Sequence, residues 1–342
     1  MLPGLPNIGM NSQLLRRLGR ISQTRCSGGA SKLRKLLIAP AAVVFILFTS
    51  PVPCHAVRVA ARVYVVHQET TEATAYKNWY EAYIAGDTMR ALELAKTYLT
   101  RFTTGEHADY LKKWIPHIRT KLLNEAVTKN DLPEIDRVGK EIMAADPQNL
   151  DFALFLAGRL RTLDTNSEYS ADTAQFAQTA IRLIEAGKTA TANSDAPFNK
   201  TKALGYLYDT LASIDERNKD LDKALDYYKR AAKIDTESAR HFFNCGRIHQ
   251  LLYVTAADEY RSFSETDRNA AQPKPRVKTV LEMVQTEADG VIECWVRFMQ
   301  LPNNDFALEV KKQVMTALTE LYKYRHPDSP DGLSRLIPDA PQ

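Results

Sequence analysis

A histidine, a cysteine and a second histidine follow one another at four-residue intervals in the stretch "ARHFFNCGRIHQ", as His241, Cys245 and His249. On a helix this spacing places the three side chains near one face, and imidazole and thiolate are both good ligands for zinc. A structural zinc site takes four ligands, however, and no fourth one is evident in the sequence. We therefore interpret Cys245 as a buried thiol between two ordinary histidines, and the sequence predicts no metal and no cofactor.

Two of the four cysteines, Cys245 and Cys294, lie well inside the chain. In an oxidising compartment such a pair can form a disulfide, whereas the alternative is two separately buried thiols. Spacing along the chain does not establish that two cysteines meet in space. A disulfide between Cys245 and Cys294 is therefore one of two interpretations that the sequence leaves open.

Motifs of the common enzyme classes are absent from the sequence. The chain contains no Gly-rich phosphate loop ending in Lys-Ser/Thr, no Gly-x-Ser-x-Gly elbow and no His-Glu-x-x-His zinc helix. Acids and bases alternate instead along helical stretches, as Asp226 and Arg230 do, which is typical of solvated helix faces. We expect a protein that is not an enzyme; the alternative is a helical enzyme or ligand-binding protein with an unrecognised site.

The first 56 residues differ in composition from the rest of the chain. They contain seven of the 45 basic residues and none of the 41 acidic residues, so the remainder is slightly acidic. Charges of both signs are mixed along that remainder, whereas nucleic-acid binding needs a clustered basic surface. The sequence therefore predicts no nucleic-acid partner.

The same segment has the organisation of a secretory signal. Lys32, Arg34 and Lys35 precede an apolar run over residues 36–48, and the segment ends at the small residue Ala56. This pattern predicts a signal peptide cleaved after Ala56. The apolar run is shorter than the ~20 residues that span a bilayer, and the alternative is an uncleaved inner-membrane anchor.

We accordingly predict that the protein is exported to the periplasm or cell envelope, or secreted, with membrane contact only through an uncleaved N-terminal segment. Met10 is an alternative start, because the residues before it make the leader unusually long.

The body of the chain has the composition of an all-α protein. Glycine is sparse, and Ala, Leu, Glu, Lys and Asp fill long uninterrupted stretches. Turn-forming pairs that end in aspartate recur, and each precedes a stripe of small and apolar residues at helical spacing. The distances from Asp131 to Asp146 and from Asp220 to Asp235 are both fifteen residues. This shared register predicts repeated helix pairs.

Two stretches, "TKNDLPEIDRVGKEIMAADPQN" and "NKDLDKALDYYKRAAKIDTES", resemble the tetratricopeptide repeat, a helix–turn–helix unit. The resemblance implies an array of antiparallel helix pairs, a TPR-like α-solenoid, that acts as a scaffold for a protein or peptide partner. Since one pair cannot bury its own apolar face, neighbouring pairs must stack. We expect a mature lead-in over residues 57–68, the repeat domain over 69–326 with a linker near 264–276, and an irregular Pro-rich tail over 327–342.

In the repeat family the first helix of each pair lines a concave groove. The resemblance therefore implies a groove lined by Tyr76, Tyr80, Tyr83, His117, Asn124, Tyr206, Asp209, Arg240, Asn244 and Arg247. Tyrosine and arginine contribute much of the binding energy at interfaces. Arg240, Asn244 and Arg247 share one helix face and suit an acidic or carboxylate-bearing peptide. Alternatively, the tyrosines pack between helices and the arginines pair with nearby acids such as Asp235.

Overall fold

The computed structural model describes residues 71–191, 197–302, 304–329 and 331–337. Every regular element in these ranges is a helix, which confirms the all-α fold class. The helices are α1 (Glu72–Ile84), α2 (Thr88–Arg101), α3 (Ala108–Lys129), α4 (Leu132–Ala145), α5 (Leu150–Leu163), α6 (Ser170–Glu185), α7 (Lys200–Arg217), α8 (Leu221–Ile234), α9 (Ala239–Ser262), α10 (Glu265–Arg268), α11 (Pro275–Gln300), α12 (Leu308–Arg325) and α13 (Gly332–Leu336).

The predicted signal segment, residues 1–56, and the lead-in, residues 57–68, lie outside the described residues. Among the helices that the structure describes, none combines the length and the apolar character needed to cross a membrane.

The described chain divides into two compact units, which meet in sequence at Ala108 and Asp109. In the described part of the first unit, α1 packs against α2 as one helix pair. Trp79 and Tyr98 are buried in its core. The Tyr98 hydroxyl also donates a hydrogen bond to the carboxylate of Glu72, so a polar contact joins the two helices as well as apolar packing.

Three of the turns inside the described helix pairs share one local structure. The second helices α2, α4 and α8 each begin after an aspartate that accepts a hydrogen bond from the backbone N–H three residues later, and these caps are Asp87, Asp131 and Asp220. The second helix α6 instead follows Tyr169, which makes no side-chain cap. The residue before each aspartate cap has a positive φ, at Gly86, Asn130 and Lys219. A side-chain oxygen at this position satisfies one of the N–H groups that the first helical turn leaves free. The recurring aspartates of the sequence therefore fix where α2, α4 and α8 start.

Positions four, eight and eleven residues after a cap form the buried stripe of each second helix. In α8 these positions hold Ala224, Tyr228 and Ala231, all nearly inaccessible to solvent. In α4 the middle position is Gly139, where a Cβ would lie 2.6 Å from a methyl carbon of Leu156 on α5. Small residues on this stripe therefore let neighbouring helices approach closely.

In the second unit successive helices pack in chain order. From α4 through α9 each helix contacts the next, and the series continues with α9 on α11 and α11 on α12. An ion pair of 3.1 Å between Arg119 and Glu141 connects α3 to α4. Packing between nearest neighbours is the arrangement of an α-solenoid. The predicted array of helix pairs is thus present.

The C-terminal part contains two long helices, α11 and α12. Trp295 of α11 is buried and donates its indole N–H to the backbone oxygen of Phe243 on α9, at 3.2 Å. The sequence predicts an irregular tail after α12, but residues 332–336 of that stretch form the short helix α13. Leu333 and Ile337 are buried there, so apolar contacts order a segment whose prolines indicated a loop.

Candidate functional site

A group of charged and polar side chains connects three first helices of the second unit. Arg161 extends from α5, Asp209 from α7, and Arg240, His241 and Asn244 from α9. We call these five residues the Asp209 cluster.

The Asp209 carboxylate is the centre of this cluster. It accepts hydrogen bonds from the Arg161 guanidinium and, at 3.0 Å, from the Asn244 amide. Nε of Arg240 lies 3.4 Å from the same carboxylate. Since only 2% of the Asp209 side chain is exposed, these donors replace the water that the charge has lost.

The charge state of Asp209 follows from two opposing effects. Burial by itself raises the pKa of the Asp209 carboxyl, but the charge of Arg161, with His241 and Arg240 nearby, holds that pKa well below its usual range. Asp209 is therefore an anion inside the protein, fixed between cations of two neighbouring helices. An anion held in this way sets the spacing of α5, α7 and α9.

His241 lies between two carboxylates. Its Nδ1 is 3.5 Å from Asp209, its Nε2 is 3.6 Å from Asp235 at the end of α8, and its side chain is buried. Both ring nitrogens therefore face carboxylates of the protein, and His241 links α9 to α7 and to the end of α8.

Arg247, a predicted groove residue, is paired inside the protein. Its guanidinium forms two hydrogen bonds with the Glu216 carboxylate, one of them 2.6 Å long, and the same carboxylate accepts a hydrogen bond from the Tyr228 hydroxyl at 3.2 Å. Burial lowers the pKa of Arg247, but the hydrogen bond and charge of Glu216 outweigh this and raise it. The partner is thus Glu216 and not the nearby Asp235.

The exposed part of this surface is formed by Tyr206 and Arg240. Tyr206 is 39% exposed, and the side chain of Arg240 is 44% exposed. The Arg161 guanidinium lies 4.8 Å from the centre of the Tyr206 ring and donates to the Tyr206 backbone oxygen. This cation–π contact holds an aromatic ring at the surface beside a cationic group.

A separate concavity lies along α3, with a volume of about 470 Å³. It includes His117 and Asn124, two of the predicted groove residues, and both are exposed. The described lining residues are His117, Thr120, Lys121, Asn124, Glu125, Thr128 and Lys129. Lys121 lies 3.9 Å from the Glu125 carboxylate, so the concavity offers an imidazole, an amide and charges of both signs to a polar ligand.

The three predicted tyrosines of α1 differ in their surroundings. Tyr76 is half-buried and stacks on His107 at 3.5 Å between ring centres. Tyr83 is exposed but stacks on the buried Trp79 at 5.4 Å, and Tyr80 is exposed as well. Tyr76 therefore fits the packing interpretation, while Tyr80 and Tyr83 present ring surface to solvent.

The two cysteines of the chain's body come together. The Cα atoms of Cys245 on α9 and Cys294 on α11 are 6.0 Å apart and their sulfur atoms are in contact. This Cα separation lies within the usual disulfide range. Formation of the bond stays a prediction.

No protein-family model matches the chain, and no curated protein matches it. Among solved structures, the chain is similar to one described as "Crystal structure of MamA protein", at 14% identity and a TM-score of 0.32, over 63% of this chain and 93% of that one. A second, "Crystal structure of MamA", matches at 14% identity and a TM-score of 0.30, over 60% and 95% of the two chains.

The structure thus brings together only part of the predicted groove. Tyr206, Arg240 and Asn244 meet around Asp209, whereas His117 and Asn124 belong to the α3 concavity. Sequence reasoning missed Arg161, the principal partner of Asp209. The sequence feature that indicates such a partner is Asp209 itself, because a carboxylate within the apolar stretch "LGYLYDTLA" needs a cation nearby.

Proposed function

We propose that this protein is a non-enzymatic scaffold that binds a protein or peptide on the surface formed by α5, α7 and α9. The observation that supports the proposal most directly is the Asp209 cluster. It ties three first helices together and leaves Tyr206 and Arg240 exposed on the same surface. A rigid aromatic ring beside an arginine is the residue combination that dominates interface energies.

The chemistry of the surface favours an acidic segment as ligand. Arg161 and Arg240 face one carboxylate, Asp209, so the cluster carries one positive charge more than it neutralises. Arg161 is committed to Asp209, while the outer face of Arg240 remains accessible to a ligand carboxylate. Charge-assisted hydrogen bonds to such a group are stronger than neutral ones.

Membership of the tetratricopeptide repeat family is part of the proposal. Its support is local: aspartate caps preceded by positive φ, and buried residues at matching positions of the second helices α2, α4 and α8. Export to the cell envelope is also proposed, from the composition of residues 1–56, with an inner-membrane anchor as the alternative.

A second candidate is a ligand-binding protein of helical fold, and the α3 concavity favours it. His117 and Asn124 would contact a small polar molecule there.

Site-specific photo-crosslinking in the source cells tests the scaffold function. A photoreactive phenylalanine analogue replaces Tyr206 on α7 in the full chain, and the control carries it at Lys229, an exposed residue of the second helix α8. We expect one discrete crosslinked protein at position 206 and none at 229. Equal labelling at both positions, or labelling only at 229, would refute binding on the first helices.

A further inference from the structure

α9 and α11 face each other across a buried group of metal-ligating side chains. Cys245 and His249 lie on successive turns of α9, and Cys294 lies on α11. One ligand atom of each residue is within 4.8 Å of the ligand atoms of the other two. All three residues are buried. Of the three residues that the sequence places on one helix face, Cys245 and His249 belong to this group. Its third member is Cys294, and His241 lies outside it.

Glu287 holds the His249 ring in a defined orientation. Nδ1 of His249 is 2.6 Å from a carboxylate oxygen of Glu287 on α11. Because the carboxylate accepts the hydrogen of Nδ1, the lone pair of the neutral ring is on Nε2. A carboxylate behind a histidine fixes the tautomer and raises the basicity of a metal-ligating imidazole.

Gly290 makes room for this ring. A Cβ at Gly290 would lie 2.3 Å from Cε1 and 2.4 Å from Nδ1 of His249, so any other residue would displace the imidazole. Glycine is unfavourable inside a helix, and the histidine explains its place in the middle of α11. Glu287, Gly290 and Cys294 follow at three- and four-residue intervals and therefore share the face of α11 turned to α9.

We propose that in the reduced protein Cys245, His249 and Cys294 form a binding site for one thiophilic metal ion, Zn²⁺ or Cu⁺. Thiolate and imidazole are the ligands that these ions prefer. Two thiolates neutralise the charge of Zn²⁺, which matters because an uncompensated charge at a buried position is costly. Three protein ligands leave the fourth zinc position to water, and Glu287 supplies the hydrogen bond behind the imidazole.

The same cysteines cannot bind a metal and form a disulfide at once. Oxidised glutathione would take two electrons and two protons from the thiols, forming the disulfide and two molecules of glutathione. Metal binding therefore belongs to the reduced chain, and oxidation should abolish it.

Metal titration of the full chain tests the site. A Cys26→Ser/Cys54→Ser background leaves the two site cysteines as the only thiols. After reduction and anaerobic removal of the reductant, Co²⁺ is added as a probe, and Zn²⁺ and Cu⁺ are then measured separately against coloured chelators. We expect one ion per chain, thiolate-to-cobalt charge-transfer absorption, and loss of both after treatment with oxidised glutathione. A reduced chain that takes up none of the three ions overturns the proposal without reference to any variant.

Variants locate the ion. Cys294→Ser should abolish the charge-transfer band, whereas His241→Gln should keep stoichiometry and affinity, because the His241 nitrogens face Asp209 and Asp235 instead. Glu287→Gln should weaken Zn²⁺ binding about 10–100-fold with an unchanged circular dichroism spectrum. Unaltered Zn²⁺ affinity in a folded Cys294→Ser variant would exclude the site, and unaltered affinity in Glu287→Gln would exclude the positioning role.

Discussion

The carboxylate of Asp209 on α7 accepts a hydrogen bond from the guanidinium of Arg161 on α5, 48 residues earlier, and the two side chains are only 2% and 11% exposed. This contact joins consecutive helix pairs of the array through a charge pair shielded from water. Its removal should therefore be felt in the stability of the whole second unit, because each pair of an α-solenoid depends on its neighbours.

Asp209→Asn should lower the free energy of unfolding by about 3–5 kcal/mol, since it leaves the Arg161 guanidinium buried without its counter-ion. Urea denaturation of the full chain measures the change. The control is Lys77→Ala, which removes an exposed ion pair of 3.8 Å with Glu81 and should cost less than about 1 kcal/mol. A loss below about 1 kcal/mol for Asp209→Asn would show that the pair does not connect the helices energetically.

Tyr253 makes stability sensitive to alkaline pH. Burial and the neighbouring Tyr324 raise the pKa of Tyr253 to about 12, against about 10 in an unfolded chain. Because the pKa is higher in the folded state, the contribution of neutral Tyr253 to the free energy of unfolding is fully present below pH ~10. This contribution, roughly 2–3 kcal/mol, is lost between about pH 10 and 12.

Tyr253→Phe should remove that loss and leave stability at pH 8 unchanged or higher, because the buried hydroxyl has no hydrogen-bond partner among the described residues. Urea midpoints of both proteins at pH 8 and pH 11 provide the measurement. Parallel losses at pH 11 would assign the effect to other groups.

Ala224 is fully buried in a cluster with Ala212, Cys245 and Ile248, between α7, α8 and α9. Ala224→Leu should overpack this contact and cost about 1–3 kcal/mol, as measured by thermal or urea unfolding. Ala144→Leu, at an exposed position of α4, is the matched control and should change stability by less than about 0.5 kcal/mol. Unchanged or raised stability in Ala224→Leu would contradict the helix register.

Alanine substitutions of Arg240 and Arg247 should have different effects, the first on partner binding and the second on stability. Arg240→Ala should weaken capture of the protein crosslinked at Tyr206 by about 2 kcal/mol, roughly 30-fold in Kd, at little cost in stability, because Asp209 keeps Arg161 and Asn244. Arg247→Ala should instead destabilise the fold by about 1–3 kcal/mol, since it leaves the Glu216 carboxylate without its counter-ion. Unchanged capture by a folded Arg240→Ala variant would move the binding surface elsewhere.

The composition of residues 1–56 predicts that the mature protein begins at Val57. Amino-terminal sequencing of the protein from culture fractions checks the cleavage site. Recovery of the intact N-terminus in the membrane fraction would favour the anchor and argue against cleavage.

The sequence by itself determined the helices of the repeat array and the starts of α2, α4 and α8. Helix propensity, the aspartate caps and the small-residue stripe all act within one helix or across one turn, so a local pattern is enough to specify them. The exposure of Tyr206 and Arg240 was also within reach, because the helix register assigns residues to faces.

Only the tertiary structure decided which distant side chains meet. Arg161 pairs with Asp209 across 48 residues, and Cys245 approaches Cys294 across 49, because of how α5 sits on α7 and α9 on α11. Such contacts depend on the packing angle and offset of helices, which many side chains set together and no short stretch encodes. For that reason the sequence predicted a groove lined by Arg240 and Arg247, while the packed helices turned Arg247 inward to Glu216 and left Arg240 at the surface.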